Sequence, residues 1–334
     1  MKDLLIIADE PFWAYHNHLE FLKKHFNDHL NIYYDYVVFN KSKRSYKSSY
    51  IRLYYKYKHN RFYTEYTKRN IRRKKSFDAV IFLGFYMPFH MKVRFNADII
   101  LKGIFTDGFP PRMAKPVNID INGFIDKYLH DCDGLICGSE LIKNYYSKYH
   151  DTVFYANMCY DEDIFKRKII KEYDTKKLTI GWTGNPNTKF KHFHDILVPA
   201  VNKVKQLRPE VVFKTRFNGP MDTLPDFYND VDLVLIASDK DAGPSMFREA
   251  GLMNIPAIST KIGHPYEVIE HLENGLFVAD NTVNEFVEKI IYLYDKRDLL
   301  IKMSNRIRRD VIDQLGVKRN IRRWQSIFNY FDLV

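Results

Sequence analysis

The sequence predicts an α/β protein made of two Rossmann-like domains, and three observations carry that prediction. At 334 residues the chain is too long for one ordinary core and suits two domains of usual size. It opens with a strand-length apolar run, Leu4 to Ala8, followed by an amphipathic helical pattern. Asp230 to Glu267 reads strand, loop, helix, strand, loop, a βαβ unit of the kind that binds ligands at the carboxyl ends of its strands.

Taken in order, Leu4 to Ala8 is the first strand, and Phe12 to Phe26 a helix with apolar positions at Phe12, Tyr15, Leu19 and Leu22. Asp9-Glu10-Pro11 stands where a dinucleotide-binding turn needs glycines, so this domain is not expected to hold a diphosphate. His16 and His18 lie near that strand end as acceptor-side candidates. Asn31 to Asn40 reads as the second strand, Ala79 to Leu83 and Ile99 to Phe105 as further strands, and Gly134 to Gly138 as a short one. Between the second and third lies the stretch from Lys41 to Ser76, with fourteen Lys or Arg against Glu65 alone and seven tyrosines. The whole chain carries a formal charge of +11, so this segment's +13 leaves −2 for everything else. Basic and aromatic residues together suit a polyanion: single-stranded or deformed nucleic acid, or an anionic membrane surface. A solvated helical insertion is the third reading. Arg72, Arg73, Lys74 and Lys75 at its end join the acceptor-side candidates.

Lys166 to Lys177 is charged and poor in apolar residues, the mark of a domain boundary. Leu178 to Trp182 then starts a second sheet, and Val211 to Phe217 and Val231 to Ala237 continue it. Gly243-Pro244 reads as a helix cap and first helical residue, with the helix running to about Met253 and Ile255 to Ser259 returning to the sheet. Val283 to Tyr294, Asp298 to Leu315 and Val317 to Phe331 read as helices. Asp-x-Asp occurs at Asp131-Cys132-Asp133, Asp161-Glu162-Asp163 and Asp230-Val231-Asp232; two copies directly precede apolar strands, so turns rather than metal sites are expected. No stretch approaches the roughly 20 apolar residues that span a bilayer, and Leu4 to Ala8 is too short for a secretory signal. Cys132, Cys137 and Cys159 lack metal-ligand spacing and suit reduced, packed thiols. A cytoplasmic protein, soluble or peripheral to a membrane, is expected.

The run Ser238 to Ala250, with Asp241 and Glu249 eight apart around a helix start, resembles the acidic-x7-Glu motif of retaining nucleotide-sugar glycosyltransferases of family 4. Phe227-Tyr228 with Asp230-Val231, Gly263 with Glu267, Asn274-Gly275, and Gly181-Trp182-Thr183-Gly184 with Lys189 and Lys191 resemble further motifs of that family, in order. Together they cover about residues 178 to 315. The resemblance implies a GT-B fold, two Rossmann-like domains facing each other across a cleft, with the C-terminal helix crossing back to the first. It implies an acceptor-side domain over 1–170 with the insertion at 41–76, a nucleotide-sugar domain over 171–316, and a crossing helix over 317–334. It implies transfer of a hexosyl or pentosyl group with retention, without metal, from a UDP-sugar as co-substrate and with no bound cofactor.

By that resemblance Asp241, Glu249 and Asp107 are the candidate catalytic residues, and Gly184, Lys189, Lys191, Tyr228, Gly243, Ser245 and Met246 the candidate donor-binding ones. A helix amino end offers free N–H groups and a positive dipole end to a diphosphate, and Glu249 would accept the ribose hydroxyls. Tyr228 would line the base pocket. Three positions depart from the family: Asp241 replaces Glu, Asn185 an arginine, and Thr106 a sugar-contacting histidine. For the acceptor, hydroxymethylated DNA stands slightly ahead of an envelope or lipid-linked glycan built at an anionic membrane. A reading of another class is a non-catalytic nucleic-acid-binding protein on a transferase scaffold.

Overall fold

In a computed structural model, the described residues are 1–9, 14–36, 74–91, 95–106, 119–157, 162–167, 177–219 and 223–334. The basic stretch up to Arg73, and with it Arg72, lies outside them, as do Asp107 and Cys159. Among the described residues two parallel sheets form. The first contains β1 (Lys2–Ala8), β2 (Leu30–Tyr36), β3 (Ser76–Phe82), β4 (Asn96–Ile104), β5 (Gly134–Cys137) and β6 (Val153–Tyr155) in the order β2-β1-β3-β4-β5-β6. The second contains β7 (Leu178–Thr183), β8 (Val211–Arg216), β9 (Leu233–Ile236), β10 (Ala257–Ser259) and β11 (Leu276–Phe277) in the order β11-β10-β9-β7-β8. Each order reverses once, between β1 and β3 and between β7 and β9, and ligands of such sheets bind outside the carboxyl ends at that reversal. The fold is α/β and GT-B, as expected.

Helical covers on both faces explain the apolar strands: Leu4 to Ala8 and Leu233 to Leu235 are almost wholly buried. The Ala14–Phe26 helix buries Tyr15, Leu19, Leu22 and Phe26, one face at helical spacing. The Val317–Tyr330 helix crosses to the first domain and buries Trp324, Ile327 and Phe328 in that domain's core, Phe328 meeting Phe26 at 5.0 Å between ring centroids. Asn157 and Asn320 fix the crossing: Asn157 N–H donates to Asn320 Oδ1 at 3.0 Å, and Asn157 Nδ2 donates to the Leu315 carbonyl at 3.0 Å.

The second domain touches the first through the short Gly263–Val268 helix. His264 Nε2 donates to the Gly138 carbonyl at 2.8 Å, and Glu267 accepts from the Glu140 amide at 2.8 Å and the Tyr155 hydroxyl at 2.6 Å. Arg323 of the crossing helix stacks over the Tyr155 ring at 3.8 Å. The Ile121–Tyr128 and Glu140–Tyr146 helices and β6 escaped the sequence reading; the first two have Asp120 and Ser139 caps that do announce them. No helix among the described residues is long and apolar enough to cross a membrane.

The Asp-x-Asp copies before strands are turns. Asp133 Oδ2 accepts from the Ile100 amide within β4 and Asp232 Oδ2 from the Thr179 amide at the start of β7, both at 2.7 Å, so each carboxylate is tied to a neighbouring strand. Cys132 donates to the Leu129 carbonyl, and burial pushes its thiol up to about 12; Cys137 is buried and shifted upward for the same reason.

Candidate active site

The carboxyl ends of β7, β8 and β9 gather the residues expected around a donor. Glu249, in the Ser245–Leu252 helix, is 4% exposed, and its Oε2 accepts from the Tyr228 hydroxyl at 2.8 Å. Tyr228 ends the Leu224–Tyr228 helix, and its hydroxyl lies 3.1 Å from Thr183 Oγ1 at the end of β7. Burial raises the Glu249 pKa; the Tyr228 hydrogen bond and the charges of Arg248, Lys191 and Arg216 oppose that rise. Groups from three other elements, the Tyr228 helix, the turn carrying Lys191 and the end of β8, therefore act on this one carboxylate.

Lys191 lies in the Lys189–Lys191 turn after β7, its ammonium packed on Gly184, where an added Cβ would stand 3.3 Å from it. Gly184 has φ +142, a backbone that glycine adopts without strain. Lys189 is exposed on the same turn. Arg216 at the end of β8 adds its charge to those acting on this carboxylate and holds Thr223 through its guanidinium, 2.9 Å to the carbonyl and 2.6 Å to Oγ1. It supplies a second cation near the turn where Asn185 leaves the expected arginine missing. Sequence reasoning passed over it, although a cation at the carboxyl end of a strand is a usable signal.

Gly243 and Pro244 need a correction. Pro244, with φ −53 and ψ 120, is the helix cap, its carbonyl accepting from the Phe247 amide at 3.0 Å, and Ser245 is the first helical residue. Asp241 Oδ1 accepts from the Gly243 amide at 3.0 Å, and this turn holds Gly243 in the loop. Gly243 is required there: a Cβ would stand 2.2 Å from the ring of His264, which is itself buried. No side chain caps this helix among the described residues, so Ser245 and Met246 stand in an uncapped first turn. The Met246 side chain is committed, its sulfur accepting from the Thr183 amide at 3.1 Å.

The acceptor-side candidates scatter. His16 Nδ1 lies 2.6 Å from the Tyr36 hydroxyl. His18 is buried between Phe105 and Trp324, and burial, with the Arg248 charge second, pulls its pKa down to about 3. It is thus neutral, buried, and within reach of the second domain's Arg248 charge. Lys74 pairs with Asp3 and sits 5.0 Å from the Tyr33 ring centroid, and Lys75 is exposed; both precede β3 and so lie at the amino ends of the strands, away from the cleft end. His264, which sequence reasoning missed, bridges the donor loop and Gly138; burial and Arg248 hold it neutral.

The two sheets and the crossing helix define a GT-B fold, and the residues above gather at the reversal of its second sheet. Residues 201–310 match the family model described as "Glycosyl transferases group 1". The N-acetyl-alpha-D-glucosaminyl L-malate synthase of Bacillus anthracis is 27% identical over 167 residues, which are 50% of this chain and 40% of that one. The poly(ribitol-phosphate) alpha-N-acetylglucosaminyltransferase of Staphylococcus aureus (strain COL) is 24% identical over 126 residues, 37% of this chain and 25% of that one. The matches thus span less than half the length of these curated relatives. The crystal structure of Anabaena HepE in complex with UDP and glucose superposes with a TM-score of 0.67 at 12% identity, covering 99% of this chain and 100% of that one, a likeness of fold.

Proposed function

We propose that the chain is a retaining glycosyltransferase that moves a sugar from a UDP-sugar to a hydroxyl of an anionic acceptor. The observation that carries this reading is the convergence of Lys191, Arg216 and the uncapped Ser245–Leu252 helix end around Glu249 at the sheet's reversal point. Lys191, Arg216 and the helix amides neutralise the diphosphate as it leaves, and they do so without metal. Glu249 receives the ribose diol. Asp241, half-buried in the loop before the helix, holds hydroxyls of the transferred sugar. The departing phosphate takes the acceptor's proton.

UDP is the donor nucleotide to test first, because HepE was crystallised with it. N-acetylglucosamine is the sugar to test first, because both curated relatives are named for it. Their named acceptors, malate and poly(ribitol-phosphate), are both anionic, which agrees with a basic chain of net charge +11. A polyol-phosphate polymer of the envelope therefore leads. Hydroxymethylated DNA, its base extruded to reach the donor, is the second reading, favoured by seven tyrosines among fourteen basic residues in 41–76.

The test incubates the protein with UDP-N-acetylglucosamine and, separately, poly(ribitol-phosphate), L-malate and hydroxymethylated DNA. Product mass identifies the acceptor, NMR of the anomeric proton reads retention, and EDTA leaves the rate unchanged. Failure to release a nucleoside diphosphate with any acceptor, across a panel of nucleotide sugars, would sink the enzyme reading and leave a binding protein.

A further inference from the structure

Glu249 is nearly inaccessible, and a carboxylate that must meet two hydroxyls at once works best with its plane fixed before the ligand arrives, since freezing it later would cost affinity. Two other elements supply that fixing. The Tyr228 hydroxyl donates to Glu249 Oε2 at 2.8 Å, and because an ionised carboxylate only accepts, the Tyr228 proton is committed there. Thr183, 3.1 Å from the same hydroxyl, must then donate to the Tyr228 oxygen. The chain Thr183 to Tyr228 to Glu249 joins the end of β7, the Leu224–Tyr228 helix and the Ser245–Leu252 helix across the reversal point of the sheet. It takes one acceptor site of Oε2 and leaves Oε1 and the other site of Oε2 to a diol.

We propose that Tyr228, backed by Thr183, is a positioning residue that holds Glu249 in the orientation that receives a ribose diol, and that it does not line the base pocket. Its complete burial agrees, since a ring 0% exposed offers no face to a base. The inference rests on Glu249 being the ribose residue of the proposed donor site.

The test measures, by calorimetry on the full chain, the affinities of UDP, GDP and ADP and of their 2′-deoxy forms for the wild type, Tyr228→Phe and Thr183→Val. The wild type binds at least one ribose form more tightly than its deoxy form. In Tyr228→Phe that preference falls roughly tenfold while deoxy affinity holds, the scale of one hydrogen bond to a charged group. Thr183→Val moves the preference the same way by a smaller factor, and it carries the test should Tyr228→Phe not fold. The acid limb of the affinity–pH curve also moves to higher pH in Tyr228→Phe, because the lost hydrogen bond favoured the ionised carboxylate while Arg248, Lys191 and Arg216 remain. Equal weakening of ribose and deoxyribose forms, or an unchanged preference, overturns the positioning role and leaves the donor site standing. A wild type that binds none of the three, or ignores the 2′-hydroxyl, overturns the donor-site reading and this inference with it.

Discussion

Glu249 is held where an ionised carboxyl is costly, and stability should register that cost. Burial raises its folded pKa, so its contribution is fully present below the ordinary glutamate pKa, ~4.3, and is lost as pH rises through the folded value. Glu249→Gln should therefore melt higher than wild type near neutral pH without ligand, the gap closing near pH ~4, while its affinity for UDP falls. Equal melting at neutral pH would mean that Arg248, Lys191 and Arg216 already offset the burial. Glu249 and Asp241 were legible because two acidic residues at that spacing flank a helix start, a pattern visible in one dimension. Arg248 was not, since an arginine in a short helix reads as a solvated face; here it is 2% exposed and acts on His18 across the domain junction. Tyr228 was singled out in the sequence, but its hydrogen bond to Glu249 was not legible there, because which group a phenol reaches is set by tertiary packing.

Among the elements, the Gly263–Val268 helix does more than its six residues suggest, fitting under the donor loop and docking on the first domain. Gly263 has φ +32, and a Cβ on it would stand 2.2 Å from the Ala242 carbonyl oxygen, a backbone atom that cannot give way. Gly263→Ala should cost several kcal/mol, on the order of 1–3 from strain with the clash added, and is checked by denaturant unfolding. Glu267→Ala strands the Tyr155 hydroxyl and the Glu140 amide; about 1–3 kcal/mol of coupling between the domains disappears with it. Differential scanning calorimetry should then resolve two transitions, where one is expected of the wild type, and a single transition at the wild-type temperature would refute the coupling. The family resemblance singled out Gly263 and Glu267 but did not show that Glu267 reaches the first domain. Pairings between residues more than a hundred positions apart leave no local pattern to read.

At the scale of the whole molecule, length and strand spacing made the two-sheet fold legible, and the apolar face of the last helix agreed with its crossing. Trp324→Ala should remove about 3–5 kcal/mol from the first domain, since Trp324 is fully buried in that domain's core. Charge is where the whole molecule is least even: +13 in residues 41–76 and −2 elsewhere. Such an excess makes a polyanion's affinity depend on released counterions, so it falls linearly in log salt with a slope near the number of phosphates neutralised. Replacing Lys41, Lys43, Arg44 and Lys47 by Gln should reduce that slope, on a duplex by up to about 0.9 for each phosphate the segment no longer neutralises. The same variant should bind UDP as the wild type does, because Lys191 and Arg216, the cations proposed to hold the diphosphate, lie in the other domain. Salt titrations with poly(ribitol-phosphate) and with hydroxymethylated DNA read the slope for each polymer. A slope unchanged for both would remove the segment from acceptor binding, whereas a slope reduced for one polymer alone identifies which of the two that segment engages.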